Sequence, residues 1–380
     1  MILKDCLEKI IDNRGRNPKY YDREVYPVID NVMIKNNYHP NINEATRFID
    51  QDTHDNFLRG YLESNIPIMT LVGGGIGNVS LSIDDKSVIV QNTIGFKTKP
   101  ELLDSIYLYY WFLYKHDELI QFNRGSGQPS IKKTDIENMN IELKSINYQR
   151  KVSKILSEID EKIDLNNKVN NNLHELMKIK FNNCIDNLEE YEESVLSKIA
   201  NYKNGLAMQK FRPIDESGLP VIKIKEMNSG FTSETERCRS DIDSDVIIDN
   251  GDILFAWSGT LCMSIWCGGR AGLNQHIFKV TSDKYPKWFY YFWTLKYLDN
   301  FIEIAAGKAT TMGHIKRTEL DKAIVKIPNE KIMEKMDEIF TPMLNEYVNN
   351  SVESKSLSEL RDTLLPKLMN GEIDLDNIEI

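Results

Sequence analysis

Residues 131–136 read "IKKTDI" and residues 315–320 read "IKRTEL", 184 positions apart (315 − 131). An internal repeat constrains a fold more than composition does, because both copies must solve the same packing problem. Carried forward, the offset pairs Ile141 with Val325, Leu143 with Ile327, Ile155 with Ile339, Ile159 with Met343, Ile163 with Tyr347 and Leu173 with Leu357. Carried backward it drifts by a few residues, as loop insertions require. "YPVI" (26–29) then falls on "LPVI" (219–222), "FKT" (96–98) on "FKV" (278–280), and "CLEKIIDNRG" (6–15) loosely on "VLSKIANYKNG" (195–205). The helical parts match well and the globular parts poorly. One scaffold therefore carries two differently specialised heads.

Each copy ends in a helical stretch. Val152, Ile155, Ile159, Ile163, Val169, Leu173 and Leu176 recur mostly at spacings of three and four, the pattern of a helix–helix seam. This predicts a helix from Tyr148 to about Phe181, a rod of roughly 50 Å. The second runs from about Ile332 to Leu365, with Pro342 expected to kink or break it. Asn147 and Asn329 are the expected N-caps. Asn166 and Asn350 occupy equivalent seam positions, and antiparallel packing would bring the two side chains together. A buried Asn pair fixes register at some cost in stability. The alternative is that "LNNKVNNNLHEL" is a solvated stretch of weak helix.

The stretch "IPIMTLVGGGIGNVSLS" (66–82) could be a phosphate-binding loop or a hairpin turn. A dinucleotide-type loop needs glycines in fixed places followed by a helix. Here Asn78 or Ser80 stands where the third glycine belongs, and "VSLSI" alternates like a strand. At an offset of 185 its residues 69–82 lie on "LFAWSGTLCMSIWC" (254–267), where Gly74 falls on Gly259 and the other glycines are replaced. The expectation is a hairpin turn with one retained glycine, Gly74, at positive φ. No cofactor is expected.

The 380 residues suit two or three domains, and no apolar run approaches the roughly 20 residues that span a bilayer. The start is charged from its fourth residue, unlike a secretory signal. Five scattered cysteines without a CxxC fit reduced thiols in a cytoplasm. A net charge of −10 argues against a nucleic-acid partner unless it is localised. The second copy shows such localisation: residues 200–325 carry 16 Lys/Arg against 15 Asp/Glu, whereas 326–380 carry 6 against 12.

With these residues in hand, the chain resembles the specificity (S) subunit of type I restriction–modification systems. "LSELRDTLLPKLMNGEIDL" (357–375) is similar to that family's C-terminal helix. "GSGQPSIKKTDIENMNIEL" (125–143) and "AGKATTMGHIKRTELDKAIVKIP" (306–328) resemble the approaches to its two helical regions. "GDILFAWSGT" (251–260) and "GLNQHIFKV" (272–280) resemble pieces of its target recognition domains. The first copy departs from the pattern at "HELMKIKFNN", which stands in place of the LR..LLP string. The resemblance implies an α/β (α+β) chain with an internal pseudo-two-fold repeat, its two globular target recognition domains separated by two long antiparallel helices. The expected divisions are 1–145, 146–190, 191–328 and 329–380. It further implies a non-catalytic subunit that reads a split, asymmetric target in double-stranded DNA. The helices would act as a ruler and dock two methylation subunits, with restriction subunits joining the assembly. A rod of that length suits half-sites about 34–36 Å apart.

Phosphate contacts need Lys, Arg and small polar donors, and base readout needs side chains with bidentate reach. Arg124, Ser126, Gln128, Lys132 and Lys133 precede the first rod. Lys308, Thr310, Thr311, His314, Lys316 and Arg317 precede the second. Gln91, Asn92, Asn274 and Gln275 offer amides that read adenine or, alternatively, satisfy buried strand ends. Ile155, Ile159, Asn166, Leu173, Asn350, Leu357, Leu360, Leu364 and Leu365 are the expected packing and partner positions on the rods. "IYLYYWFLY" (106–114) and "WFYYFW" (288–293) read as core helices. The histidines show no HExxH, and neither a GxSxG nor a GxxxxGK[ST] string occurs. Two rivals remain: a coiled-coil adaptor whose heads bind proteins, and the recognition subunit of a split, non-translocating restriction enzyme.

Overall fold

The computed structural model describes residues 1–15, 17–125, 127–213, 217–307 and 313–375. Contacts divide the chain into two units, one of residues 1–164 with the stretch from 357 onward, the other of residues 165–356.

In the first unit, strands β1 (Leu7–Ile11), β4 (Pro67–Thr70), β5 (Val79–Leu81) and β6 (Thr93–Thr98) form an antiparallel sheet in the order β1-β6-β4-β5. The short strands β2 (Tyr26–Pro27) and β3 (Phe48–Ile49) pair beside it, followed by helix α1 (Gln51–Phe57). All four residues of β4 are buried, so the strand is covered on both faces. Part of that cover is α2 (Ser105–Tyr114), whose Tyr107, Leu108, Tyr109, Tyr110, Trp111 and Phe112 are all buried. The aromatic run is core, as the sequence indicated. Then come α3 (His116–Gln121), α4 (Lys133–Glu137) and the 41-residue helix α5 (Ile146–Asp186).

The second unit repeats this plan. Strands β7 (Tyr191–Val195) and β8 (Asn201–Asn204) flank the one-turn helix α6 (Leu196–Ile199). Strands β9 (Leu219–Ile222), β10 (Arg237–Cys238) and β11 (Ile247–Ile248) follow, with α7 (Ile224–Ser229) between the first two. The main sheet has β12 (Ile253–Ala256), β13 (Cys262–Ile265) and β15 (Ile277–Thr281) in the order β13-β12-β15-β8, while β14 (Ala271–Leu273) pairs with β9 and β11. Helix α8 (Lys287–Lys296) buries Trp288 to Thr294 without a gap, the counterpart of α2. After α9 (Leu298–Gly307), α10 (Arg317–Leu320) and β16 (Ile324–Pro328) comes the second 41-residue helix, α11 (Glu330–Asn370).

The repeat holds at the level of individual pairings. Val28 makes a parallel bridge with Val88, and Val221 pairs in parallel with Gly272, so "YPVI" and "LPVI" are the same strand. Ile2 faces Asn140, and Val195 faces Ile324. The match of "FKT" with "FKV" is two residues out of step. Met69 opposes Ile94 and Phe255 opposes Phe278, which makes Ile94 the true counterpart of Phe278. A slip of two leaves every side chain on its original face, so hydrophobic pattern alone cannot detect it.

Both rods are longer than expected, at about 60 Å each. The N-cap of α5 is Ser145 and not Asn147: the Ser145 Oγ accepts from the Tyr148 N–H at 3.2 Å. Asn329 caps α11 as expected, accepting from Ile332 at 3.0 Å. Pro342 does not end α11, although a proline inside a helix costs about 3 kcal/mol. Met336, Phe340 and Leu344 on either side are buried in the second core and hold the helix through it.

The seam lies one position round from the apolar stripe. Its buried residues on α5 are Gln149, Val152, Ser153, Leu156, Ser157, Asp160, Asn166, Asn170, Met177, Phe181 and Ile185. Ile155, Ile159 and Leu173 are half-buried, as are Leu357 and Leu364, while Leu365 is buried and Leu360 faces out. In the second unit Asn166 and Asn350 meet, but not side chain to side chain. Asn166 Nδ2 donates to the Asn350 carbonyl at 3.4 Å and to Glu353 at 2.8 Å. The Asn350 amide instead reaches Asn170 Oδ1 at 3.1 Å, and Asn170 donates to the Tyr347 carbonyl and Ser351. The amides thus form a three-residue network. Replacing Asn350 by alanine strands one buried amide oxygen and should cost about 1–3 kcal/mol in chemical denaturation.

Candidate nucleic-acid interface

In each unit three loops meet at the end of the main sheet. The first is the turn between β4 and β5, residues 71–77, held at its feet by Thr70 N–H to Asn78 O (3.0 Å) and Gly77 N–H to Thr70 O (2.9 Å). The second is the entry to β6: Leu71 N–H donates to Asn92 O at 2.7 Å. The third precedes α4: Ile131 N–H donates to Leu71 O and Gly73 N–H to Pro129 O, both at 2.9 Å. Buried Ile131 anchors this last loop. Asn123 Oδ1 closes it, accepting from Gly125 and Ser130.

The second unit repeats the same bonds. Trp257 N–H donates to His276 O (3.3 Å), Ile315 N–H to Trp257 O (3.2 Å), and Gly259 N–H to Gly313 O (2.9 Å). The turn here is residues 257–261, since Ala256 opposes Cys262. It is two residues shorter than 71–77. Bond for bond, Gly259 corresponds to Gly73 and not to Gly74. Gly73, Gly75, Gly77 and Gly259 all have positive φ (93°, 76°, 77° and 80°), whereas Gly74 does not. The extra length of the first turn displaces a one-to-one alignment by a residue.

This convergence collects residues that lie far apart in sequence. Gln91 and Asn92 are half-exposed beside the first turn, and neither side chain has a hydrogen bond among the described residues. Gln128 and Lys132 are exposed on the third loop. Arg124 forms an ion pair with Asp135 on α4 at 2.8 Å, and Lys133 Nζ lies 3.9 Å from Asp12 on the far side. Burial pushes the Asp12 carboxyl up, but bonds from Arg14 outweigh it and leave its pKa below the usual value. In the second unit Asn274 is buried, and its Oδ1 accepts from the His276 N–H at 3.3 Å, so it shapes its own loop. Gln275 touches His276 at 3.2 Å. His314 and Lys316 are exposed, while Arg317 donates to the Tyr202 carbonyl at 2.8 Å with its guanidinium 5.3 Å from the Phe278 ring centre. Ser126, Lys308, Thr310 and Thr311 lie outside the described residues.

Sequence reasoning passed over Trp257. Its ring stacks on Phe278 (5.6 Å, 29°) and lies near His276 and His314, at 6.1 and 6.4 Å. Its Nε1 has no hydrogen-bond partner among the described residues. The available signal was a tryptophan in a five-residue hairpin turn, a costly place for a large apolar ring. Arg237 and Arg239 serve the surface, bonding the Gly218 carbonyl and Asp241. Among the described residues no cluster of His, Cys, Asp and Glu could hold a metal, and no helix is long and apolar enough to cross a membrane.

Known proteins resemble this chain in sequence and in fold. The family model for the type I restriction modification DNA specificity domain matches residues 3–175 and again 188–354. The specificity subunit of the type I restriction enzyme MjaIX of Methanocaldococcus jannaschii is 24% identical over 314 residues, covering 72% of this chain and 70% of that protein. The EcoBI specificity subunit of Escherichia coli is also 24% identical, over 56% of this chain and 48% of its own length. The crystal structure of a type I S subunit from M. genitalium superimposes with a TM-score of 0.62 at 13% identity, over 97% of this chain and 95% of that one, a likeness of fold. One domain model falls twice on this chain, each time on a globular part and more than half of the long helix that follows it, and the loop bonds of the globular parts repeat pair by pair. The chain belongs to the type I restriction-modification DNA specificity family.

Proposed function

We propose that the two heads each read one part of a split, asymmetric DNA target through their three converging loops. The observation that carries this is the shared loop frame with different side chains upon it. One head presents a glycine turn with Gln91, Asn92 and Gln128; the other presents Trp257, Gln275, His276 and His314. Equal frames with unequal chemistry fit a target without palindromy, because a symmetric site would be read by equal side chains. The chain itself performs no chemistry in this reading. It places two methylation subunits and, through them, restriction subunits on the DNA in the cytoplasm. Helices α5 and α11 supply the spacing and the docking surface, and Leu165, Leu176, Ile179, Ile339 and Leu360 are large apolar residues exposed on them. The globular parts are assigned to residues 1–145 and 191–328.

The test is selection from a randomised duplex pool by the full chain co-expressed with its methylation subunit, at several salt concentrations, followed by sequencing. One split motif with an invariant spacer is the expected result. Salt-sensitive binding without an enriched motif would reduce the activity to phosphate affinity. No binding with the partner present would favour the protein adaptor.

A further inference from the structure

Most glycines of the first turn have a structural reason to be there, and one has none. Gly73, Gly75 and Gly77 sit at positive φ, where other residues are strained. Gly74 lacks a positive φ, is exposed at the tip, and a Cβ built there would meet nothing within 4 Å. The fold would accept a side chain at this position. What a missing Cβ permits there is close approach by something outside the chain.

The backbone at the tip is poised to donate. Neither the Gly74 nor the Gly75 N–H has a hydrogen-bond partner among the described residues. Gly73 and Gly75 have positive φ and Gly74 between them does not, an alternation of the kind from which successive N–H groups build anion-accepting concavities. The tip is also rigid. Asn31 Nδ2 holds the Gly74 carbonyl at 3.0 Å, which points the Gly75 N–H of the same peptide plane the opposite way. Gly73 is tied to Pro129, Gly77 to Thr70, and Asn78 Nδ2 to the Ile34 carbonyl. The second unit's turn is two residues shorter, has one positive-φ glycine, and carries no such tip.

We propose that the Gly73–Gly75 tip binds a backbone phosphodiester of the DNA through the Gly74 and Gly75 N–H groups, fixing the first head's register on its half of the target. This rests on the DNA reading above and adds a contact that carries no sequence information. Neutral donors leave the counterion balance of Lys and Arg contacts untouched, so the site has a signature of its own.

Gly74→Ala adds one methyl group where the fold has room, so its melting curve should match the parent. With the target from the selection and the methylation subunit present, affinity should fall roughly tenfold, the loss of one hydrogen bond to a charged group. The slope of affinity against salt and the enriched motif should both be unchanged. In a companion series, single phosphates of the first half-target are replaced by methylphosphonates. One replacement should weaken the parent by a similar factor and cause no further loss in Gly74→Ala. The proposal is overturned if no phosphate shows this non-additivity, or if Gly74→Ala changes which bases are enriched. Retention of ATP by the parent in equilibrium dialysis, lost in Gly74→Ala, would assign the tip to a free nucleotide and also overturn it. If the parent selects no motif, the DNA reading itself fails; a selected motif with a neutral Gly74→Ala removes only the tip.

Discussion

Replacing Arg361 by alanine should lower the melting temperature of the first unit by roughly 10 °C. Arg361 lies in the LR..LLP string on α11, and its guanidinium donates to Asp160 of α5 at 2.7 Å. The Asp160 carboxylate is only 2% exposed, and its other oxygen accepts from Tyr110 of α2 at 2.7 Å. Burial opposes the charge on Arg361, yet Asp160 more than offsets it and the guanidinium pKa is raised. The same surroundings push the Tyr110 hydroxyl far up, by burial first and the Asp160 charge second, so it stays a donor. Truncating one partner of such a pair leaves a buried, uncompensated charge, which costs about 3–5 kcal/mol. In a unit of this size each kilocalorie is worth about 2–4 °C. Differential scanning calorimetry reads the shift, and the combined change Arg361→Met, Asp160→Leu and Tyr110→Phe, which leaves no buried polar partner behind, should recover most of it. If Arg361→Ala melts with the parent, the pair contributes nothing net.

The second large effect concerns target choice. Exchanging Gln91 and Asn92 together for alanine should relax selectivity at one half of the target and leave the other half unchanged. A bidentate amide–adenine contact discriminates by about 1–3 kcal/mol, so the preferred base at the affected position should lose roughly tenfold to hundredfold advantage. Folding should survive, because only the Asn92 backbone carbonyl supports the turn and neither side chain is bonded within the described residues. Selection with the variant, read position by position, gives the result directly. An equal loss across both halves would place these amides in general affinity, and no change would remove them from readout.

The doubled architecture, the two aromatic core helices and the long rods were all legible in the sequence, because each is written in spacing and in apolar residues. The seam was not. Its buried positions include Gln149, Ser153, Asp160, Asn166 and Asn170, and a stripe drawn through isoleucines and leucines passes beside them. These polar residues are buried because partners on neighbouring elements satisfy them, information that no single helix contains. The same blindness moved the cap from Ser145 to Asn147, where two plausible oxygens stand two residues apart. At the candidate interface the residue types were readable, but their assembly was not. Asn92, Leu71 and Ile131 are joined by backbone bonds that side-chain chemistry does not announce. That is also how Asn274, an attractive amide on paper, proves to be engaged in its own loop.

The division of the chain into units has a consequence for its synthesis. Residues 165–356 contain every segment of the second unit in one continuous run, so this unit can close as soon as it has left the ribosome. The first unit begins earlier yet finishes later. Its core includes Leu364, Leu365, Leu368, Met369 and Leu375, and its buried Asp160 waits for Arg361. Until those residues emerge, α2 and the start of α5 hold an open apolar face and an unpaired charge. The half made first is therefore the half that folds last, and a product cut short before residue 357 would carry one sound head and one unfinished one.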